Sequence, residues 1–456
     1  MGISVTLVNL SVQPGESGKH AVPLGVLYLA SSLIRRGIAF EIRNYEHCRD
    51  RQPFSAETFA RFLDGSGDLI AVSLMSNMMP LLLAGLPRFK KERPDCRVVV
   101  GGFGPSADPE RLLRVCPEID FVVSGWGERA LSDLVAALEG RTSLHTVAGL
   151  SFRGEDGVLG HVPRGELPPV DLLPMPAHRS VAAEDRHDNL PVVTARGCPH
   201  RCAFCDIPGY HRRRTAYRDL GKVLDEIEEF HGLYREDARK RTGVTREPAI
   251  GIVDDTFCSR RDRVLRFCDE LGKRGKKVSW WVSARVNELD AELLERMAEA
   301  GCESIFIGVE SGSDSVLRAI DKGFDSARAI AAVKMAAQRI SVITASFIWG
   351  LPMESPQDFR QTLLAMTLCR AAGVQVQAHL WSPLPRSRLY REYRQCLAFS
   401  QRFISDIAFA PEALVGEHES LIRAHPELYS CFYHYPHPDL EERLAMLRQM
   451  RFEESK

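Results

Sequence analysis

The sequence predicts an α/β protein: an N-terminal doubly wound domain, then a partial (β/α)6 barrel and a short helical C-terminal region. Three observations carry this. Short apolar runs, too continuous for strands with one wet face, alternate with amphipathic segments along most of the chain. The alternation breaks once, around "ELPPVDLLPMPAH", where prolines gather. With 456 residues, 45% of them hydrophobic, the chain can fill the cores of two or three domains.

The elements follow in order. "VTLVNL" reads as a strand, "PLGVLYLASSLIRRG" as a helix opened by Pro and stopped by Gly, and "AFEIRNYE" as a second strand. "LIAVSLMS", "CRVVVGGFG" and the start of "DFVVSGWGERALSDLVAALEG" supply further strands, with helices between and after them. Residues 1–140 therefore form a Rossmann-like open sheet, whose ligands sit at the carboxyl ends of the strands. "VNLSVQPGESGKH", "SLMSN", "GGFGPS" and "SGWGE" all fall at that edge. Residues 141–190 read as a linker with weak β signals. From 191 to 390 the strands "LPVVTAR", "AIGIVDDTF", "VSWWVSARV", "SIFIGVES", "SVITASFIWGLP" and "VQVQAHLWSPLP" alternate with five helices, enough to wind most of a barrel without closing it. Residues 391–456 are charged and helical, with an aromatic patch "YSCFYHYPHP".

Charge excludes some partners. Lys+Arg 59 against Asp+Glu 60 gives a net charge of -1, so no basic field gathers nucleic acid or anionic lipid. "HRRR" (211–214) is better read as a solvated or anion-balancing face than as a nucleic-acid grip. The first residues lack an export signal, and no run of about 18 apolar residues follows, so a cytoplasmic protein that engages no membrane is expected. "MGISVT" matches the myristoylation pattern only at Gly2 and Thr6. In a reducing compartment the nine scattered cysteines, 48, 96, 116, 258, 268, 302, 369, 396 and 431, are expected to be packing residues.

The other three cysteines crowd into "TARGCPHRCAFCDIPGYHRRR". Cys198, Cys202 and Cys205, spaced C-x3-C-x2-C on the loop after the first barrel strand, can each bind one iron of an iron-sulfur cube and leave its fourth iron open. An open iron can chelate a small molecule and pass it an electron. Zinc, using the same cysteines with His200 or His211, is the alternative, although structural zinc normally takes two separated ligand pairs.

This loop resembles that of the radical SAM superfamily. Phe204 matches the aromatic commonly found before the third cysteine, near the adenine of S-adenosylmethionine (SAM). "GVESGSDSVL" resembles the segment that meets the ribose, which gives Glu310 and Ser311 that role. "FIWGLPMES" is similar to the glycine motif that supports the adenine, here Gly350. "IVDDTF" takes the place of the segment that holds the methionine amino group, with Asp254 and Asp255 where the family has glycines. "WWVSARV" offers Ser283 and Arg285 to the methionine end. The resemblance implies a [4Fe-4S] cluster that reduces SAM to methionine and a 5'-deoxyadenosyl radical, a small-molecule substrate that gives up a hydrogen atom, and an electron donor such as flavodoxin or ferredoxin. Taken alone, Glu310 reads as a surface carboxylate and Arg285 as a solvated charge at a sheet end.

The N-terminal half resembles the cobalamin-binding domain fused ahead of the barrel in one large branch of that superfamily, through "PLGVLYLASSL", "VVVGGFGPSADPERLL" and "DFVVSGWGE". By that resemblance Pro23, Leu24, Ser73, Met75, Gly102 and Gly125 line a corrin crevice. The D-x-H-x-x-G motif is absent, as it generally is in the branch, which leaves open whether cobalamin binds; Trp126 and "GGFGPS" depart from the common pattern. tRNA methylthiotransferases share the domain order, but the first ten residues lack that branch's cysteine and asparagine signature. Two enzymatic readings stand: cobalamin-dependent methylation of an unactivated carbon in a small biosynthetic metabolite, and cobalamin-free dehydration, epimerisation or rearrangement of a metabolite such as a sugar, finished by a partner reductase. A third is a metal-stabilised interaction module without catalysis. No residue identifies the catalytic acid or base.

Overall fold

The computed structural model describes residues 2–10, 22–154, 157–166, 169–186, 189–244, 247–275, 278–408 and 410–452. The chain forms two compact units: residues 1–185 with 408–432, and residues 186–407 with 433–456.

In the first unit β1 (Val5–Asn9), β2 (Phe40–Asn44), β3 (Leu69–Ser73), β4 (Arg97–Gly101) and β5 (Phe121–Val123) pair in parallel in the order β2-β1-β3-β4-β5. Leu7, Val8, Ile70, Ala71, Val98 and Val99 are all buried although neighbours in the chain point to opposite faces, so both faces are covered. From β1 the order runs one way to β2 and the other way to β3. The strand order therefore reverses between β1 and β3, the point at whose carboxyl edge sheets of this kind take their ligands.

Within 141–190 the structure places β6 (Leu150–Arg153) and β7 (Leu159–His161), antiparallel additions to β5. Leu150 and Phe152 join the core cluster that holds Phe121 and Val123. The C-terminal region, expected to be helical, is divided. His418 Nε2 lies 2.8 Å from the Phe54 carbonyl in the first unit, and Arg111 pairs with Glu427 at 3.4 Å.

The second unit opens with β8 (Asn189–Val192) and a small hairpin of β9 (Ala195–Arg196) with β10 (Ala216–Tyr217). β11 (Ala249–Ile252), β12 (Trp280–Arg285), β13 (Cys302–Glu310), β14 (Val342–Trp349) and β15 (Gln375–Leu380) join β8 in one parallel sheet of six strands, neighbours in chain order, unclosed. Three of the helices between them start at side-chain caps: Asp290 accepts from the Leu293 amide, Asp325 from Arg328 and Ser355 from Asp358. Val282, Ala284, Ile305, Ile307, Ile343, Ala345 and Phe347 are buried on one face, while Phe306, between them on the other, is 37% exposed. β16 (Ala398–Phe399) and β17 (Tyr433–His434) form a short antiparallel pair that interrupts the helical C-terminal region.

Seven of the nine scattered cysteines are buried, as packing residues should be; Cys48 is half-buried and Cys396 exposed, so packing does not account for these two.

Candidate active site

Gly197 starts the cysteine loop because only glycine fits there: its φ is 90°, and a Cβ would collide with the Arg214 carbonyl. The loop is anchored by backbone. Ala203 donates to the Ile320 carbonyl at 3.0 Å and accepts from the Leu389 amide at 3.0 Å. Asp206 closes the loop by accepting from the Arg386 amide and guanidinium, both at 2.6 Å.

Cys198, Cys202 and Cys205 are all half-buried. Burial pushes the Cys198 thiol up to about 11 and the Cys205 thiol further up, so a cation is needed to make them thiolates. Iron would supply that charge and release the protons, which fits the donor set to a cluster. Among the described residues no group of three or more His, Cys, Asp or Glu side chains converges on a single ion. A cube takes each thiolate on a different iron, so its ligands need not meet at one point.

Glu288, unremarked in the sequence, ties the loop to two strand ends. It pairs with His200 Nε2 at 2.6 Å and accepts from Thr256 Oγ1 at 2.6 Å and the Arg285 amide at 3.1 Å. Burial raises its carboxyl, but these hydrogen bonds, His200 first, hold it below the usual range. Only strand register brings residues 200, 256, 285 and 288 together, so no local signal could have found the set.

Of the expected SAM residues, Asp254 is buried and engaged. Oδ1 accepts from the Thr194 and Ala195 amides at 2.6 and 3.0 Å, and Oδ2 from Thr194 Oγ1 at 2.5 Å. Asp255 accepts from the Gly197 amide at 2.9 Å, at the start of the cysteine loop. Ser283 is half-buried on β12, and its carbonyl accepts from the Phe257 amide at 3.1 Å. Arg285, 7% exposed, donates to the Cys202 sulfur and the Lys322 carbonyl. Phe204 is half-buried, with Lys322 Nζ 5.9 Å from its ring centre.

Glu310 ends β13 at a register shift with φ 72°, a conformation rare outside glycine and concentrated at functional positions. Its Oε1 lies 3.1 Å from Nζ of Lys322, a fully buried lysine that no sequence pattern singled out. The Ser311 hydroxyl is turned inward, 2.9 Å from Thr362 Oγ1. Gly350, φ 72°, leaves no room for a Cβ, which would lie 2.7 Å from Leu380 Cδ1. Its amide donates to Glu354 Oε2 at 2.8 Å, and Arg443 donates to the same oxygen at 2.7 Å. Burial pushes Glu354 up to about 7 against the pull of Arg443.

In the first unit Pro23 and Leu24 lead the helix Leu24–Arg36, Ser73 ends β3, and Met75 follows with 58% of its surface exposed. All four flank the point where the strand order reverses; residues 11–21 of the loop before them lie outside the described residues. Gly102 and Gly125 have φ 99° and 98°. A Cβ at Gly102 would lie 2.5 Å from the Leu74 carbonyl, so backbone already packs there, whereas one at Gly125 would make an ordinary contact, 3.5 Å from the Arg164 side chain.

A model of the radical SAM superfamily matches residues 192–366, and one of the B12 binding domain matches residues 15–135. An uncharacterized methyltransferase of Pyrococcus horikoshii is 28% identical over 373 residues, 79% of this chain and 78% of that protein. An anaerobic magnesium-protoporphyrin IX monomethyl ester cyclase of Rubrivivax gelatinosus is 28% identical over 285 residues, 60% of this chain and 49% of the cyclase. Among solved structures, the radical SAM methyltransferase TsrM from Kitasatospora setae superposes with a TM-score of 0.70 at 19% identity, over 87% of this chain and 76% of TsrM. The cobalamin-dependent radical enzyme OxsB gives 0.66 at 24% identity, over 80% of this chain and 52% of OxsB. These two show a shared fold, and the chain spans about half the length of OxsB and of the cyclase. The chain thus carries a radical SAM domain behind a B12-binding domain and is a radical SAM enzyme whose cofactors are a [4Fe-4S] cluster and SAM, the B12-binding domain supporting cobalamin as a third.

Proposed function

We propose that this enzyme methylates a carbon of a small metabolite in a cobalamin-dependent radical reaction. One observation carries the reading: a C-x3-C-x2-C loop at the carboxyl edge of a parallel sheet shares a chain with a B12-type doubly wound unit. Cys198, Cys202 and Cys205 hold the cluster, and Glu288 with His200 fixes their loop. Phe204, Glu310 and Gly350 bound the adenosine end of SAM, while Ser283 and Arg285 stand near the methionine end. The strand reversal between β1 and β3, with Met75 exposed beside it, is where a sheet of this kind would take the corrin. Together the bound cofactors supply an electron, a 5'-deoxyadenosyl radical and a methyl group. An external donor such as flavodoxin or ferredoxin delivers the electron. With a net charge of -1, and no helix among the described residues long and apolar enough to cross a membrane, the reading needs neither nucleic acid nor lipid.

The Leu74 carbonyl packed against Gly102 favours a second reading, in which the first unit stays empty and the radical dehydrates, epimerises or rearranges its substrate. Protein expressed with cobalamin and purified anaerobically separates the two. Methyl transfer predicts stoichiometric cobalt and release of both S-adenosylhomocysteine and 5'-deoxyadenosine. Protein without cobalt that yields 5'-deoxyadenosine alone overturns it.

A further inference from the structure

We propose that Arg285 raises the reduction potential of the cluster by placing a fixed positive charge and a hydrogen bond on the sulfur of Cys202; this rests on the reading of the cysteine loop as a cluster site. Arg285 is 7% exposed at the end of β12. Its guanidinium is held in three directions. One terminal nitrogen donates to Cys202 Sγ, the other to the Lys322 carbonyl at 2.5 Å, and Nε to Asn287 Oδ1 at 3.4 Å. Among the described residues no carboxylate lies within ion-pair reach of it.

A guanidinium does not shed its charge, and burying one without a counter-charge is expensive. Its partners here are a sulfur, a carbonyl and an amide oxygen. The nearest group that can become anionic is therefore the cluster-bearing thiolate. A cube held by three thiolates is a net anion and gains a further negative charge on reduction, so a cation fixed at one sulfur favours the reduced form. Lys322, the other buried cation beside the loop, is already matched by Glu310 at 3.1 Å. The Lys322 and Asn287 oxygens also keep the guanidinium from swinging away, so the charge stays on the sulfur.

The resemblance gives Arg285 another duty, at the methionine end of SAM. The two roles separate when the potential is measured without SAM. Full-length protein, reconstituted anaerobically with iron and sulfide, is titrated against potential with electron paramagnetic resonance as the readout, for wild type, R285Q and R285K. In R285Q the iron content should match wild type, while the ratio of reduced to oxidised cluster at a fixed potential falls about tenfold, about 59 mV for a one-electron couple. R285K keeps the charge and loses the fork, so its potential should fall by less. An unchanged R285Q potential, with only SAM affinity altered, overturns the proposal. If R285Q loses iron, R285K carries the test, and a potential equal to wild type overturns it. Wild type that takes up no cluster is a different result: it removes the reading of the loop itself, and the proposal with it.

Discussion

Asp254 gives the sharpest test of how the cysteine loop is held, because two neutral replacements separate its charge from its acceptors. Oδ1 alone accepts from both the Thr194 and Ala195 amides. The substitution Asp254→Asn would keep that oxygen, and the new side-chain amide nitrogen could donate to Thr194 Oγ1. Asp254→Ala leaves two buried N–H groups unpaired, at about 1–3 kcal/mol each, so it should be less stable than Asp254→Asn by about 2–6 kcal/mol. Charge enters through pH. Burial lifts the Asp254 carboxyl from 3.8 to about 6, against the Thr194 and Ala195 hydrogen bonds. The folded state then holds this proton more tightly than the unfolded chain. The resulting stabilisation is complete below 3.8 and is lost as pH rises through about 6. At neutral pH the ionised group costs up to about 3 kcal/mol, which Asp254→Asn should recover. Urea unfolding at pH 5 and 7.5, with hydrogen exchange at the Thr194 and Ala195 amides, measures both effects. If Asp254→Asn is as unstable as Asp254→Ala at pH 7.5, the loop needs the charge and the argument from acceptors is wrong.

Three further outcomes are expected. Replacing Cys198, Cys202 or Cys205 by Ala should abolish SAM cleavage and reduce iron and sulfide, whereas C258A and C369A should not; a triple variant that keeps a full cluster would refute this assignment. Glu310→Ala should weaken SAM binding by roughly 1.5–3 kcal/mol, about tenfold or more, at unchanged iron content; equal affinity by calorimetry would leave Glu310 only a partner for Lys322. Gly350→Ala should lower stability by about 1–2 kcal/mol, from its φ of 72° alone, with more from the contact on Leu380; an unchanged unfolding midpoint would count against the strain.

What the sequence disclosed depended on distance along the chain. Three cluster ligands within one short loop are legible because the chemistry is local, and the strands of the first sheet, like β14 in the second, are legible because burial on two faces leaves a continuous apolar run. β6 and β7 give only weak signals, being four and three residues long with mixed patterning. The Glu288 hub joins residues that only parallel register brings together. The contact of His418 with Phe54 spans 364 positions, so no window of sequence contains it. Glu310 was found through its motif, but its left-handed backbone follows from a register shift between β13 and β14 that no composition encodes.

The carboxylates at the edge of the second sheet sort themselves by what they accept. Parallel strands leave backbone amides unpaired where their carboxyl ends turn into loops, and buried amides must find acceptors. Asp206 takes the Arg386 amide, Asp254 those of Thr194 and Ala195, Asp255 that of Gly197, Glu288 that of Arg285, and Glu354 that of Gly350. Each ties down loop backbone, so each holds the edge in shape. Glu310 differs. Its carboxylate meets only Lys322 Nζ, through Oε1, and among the described residues Oε2 has no partner. A buried carboxylate with spare acceptor capacity, held at φ 72° by its neighbours, suits a ligand that brings hydroxyl donors, as a ribose does. On this ground Glu310 is the stronger candidate for direct contact with SAM, whereas the acceptors of Asp254 are spent on the Thr194–Ala195 backbone that leads into the cysteine loop.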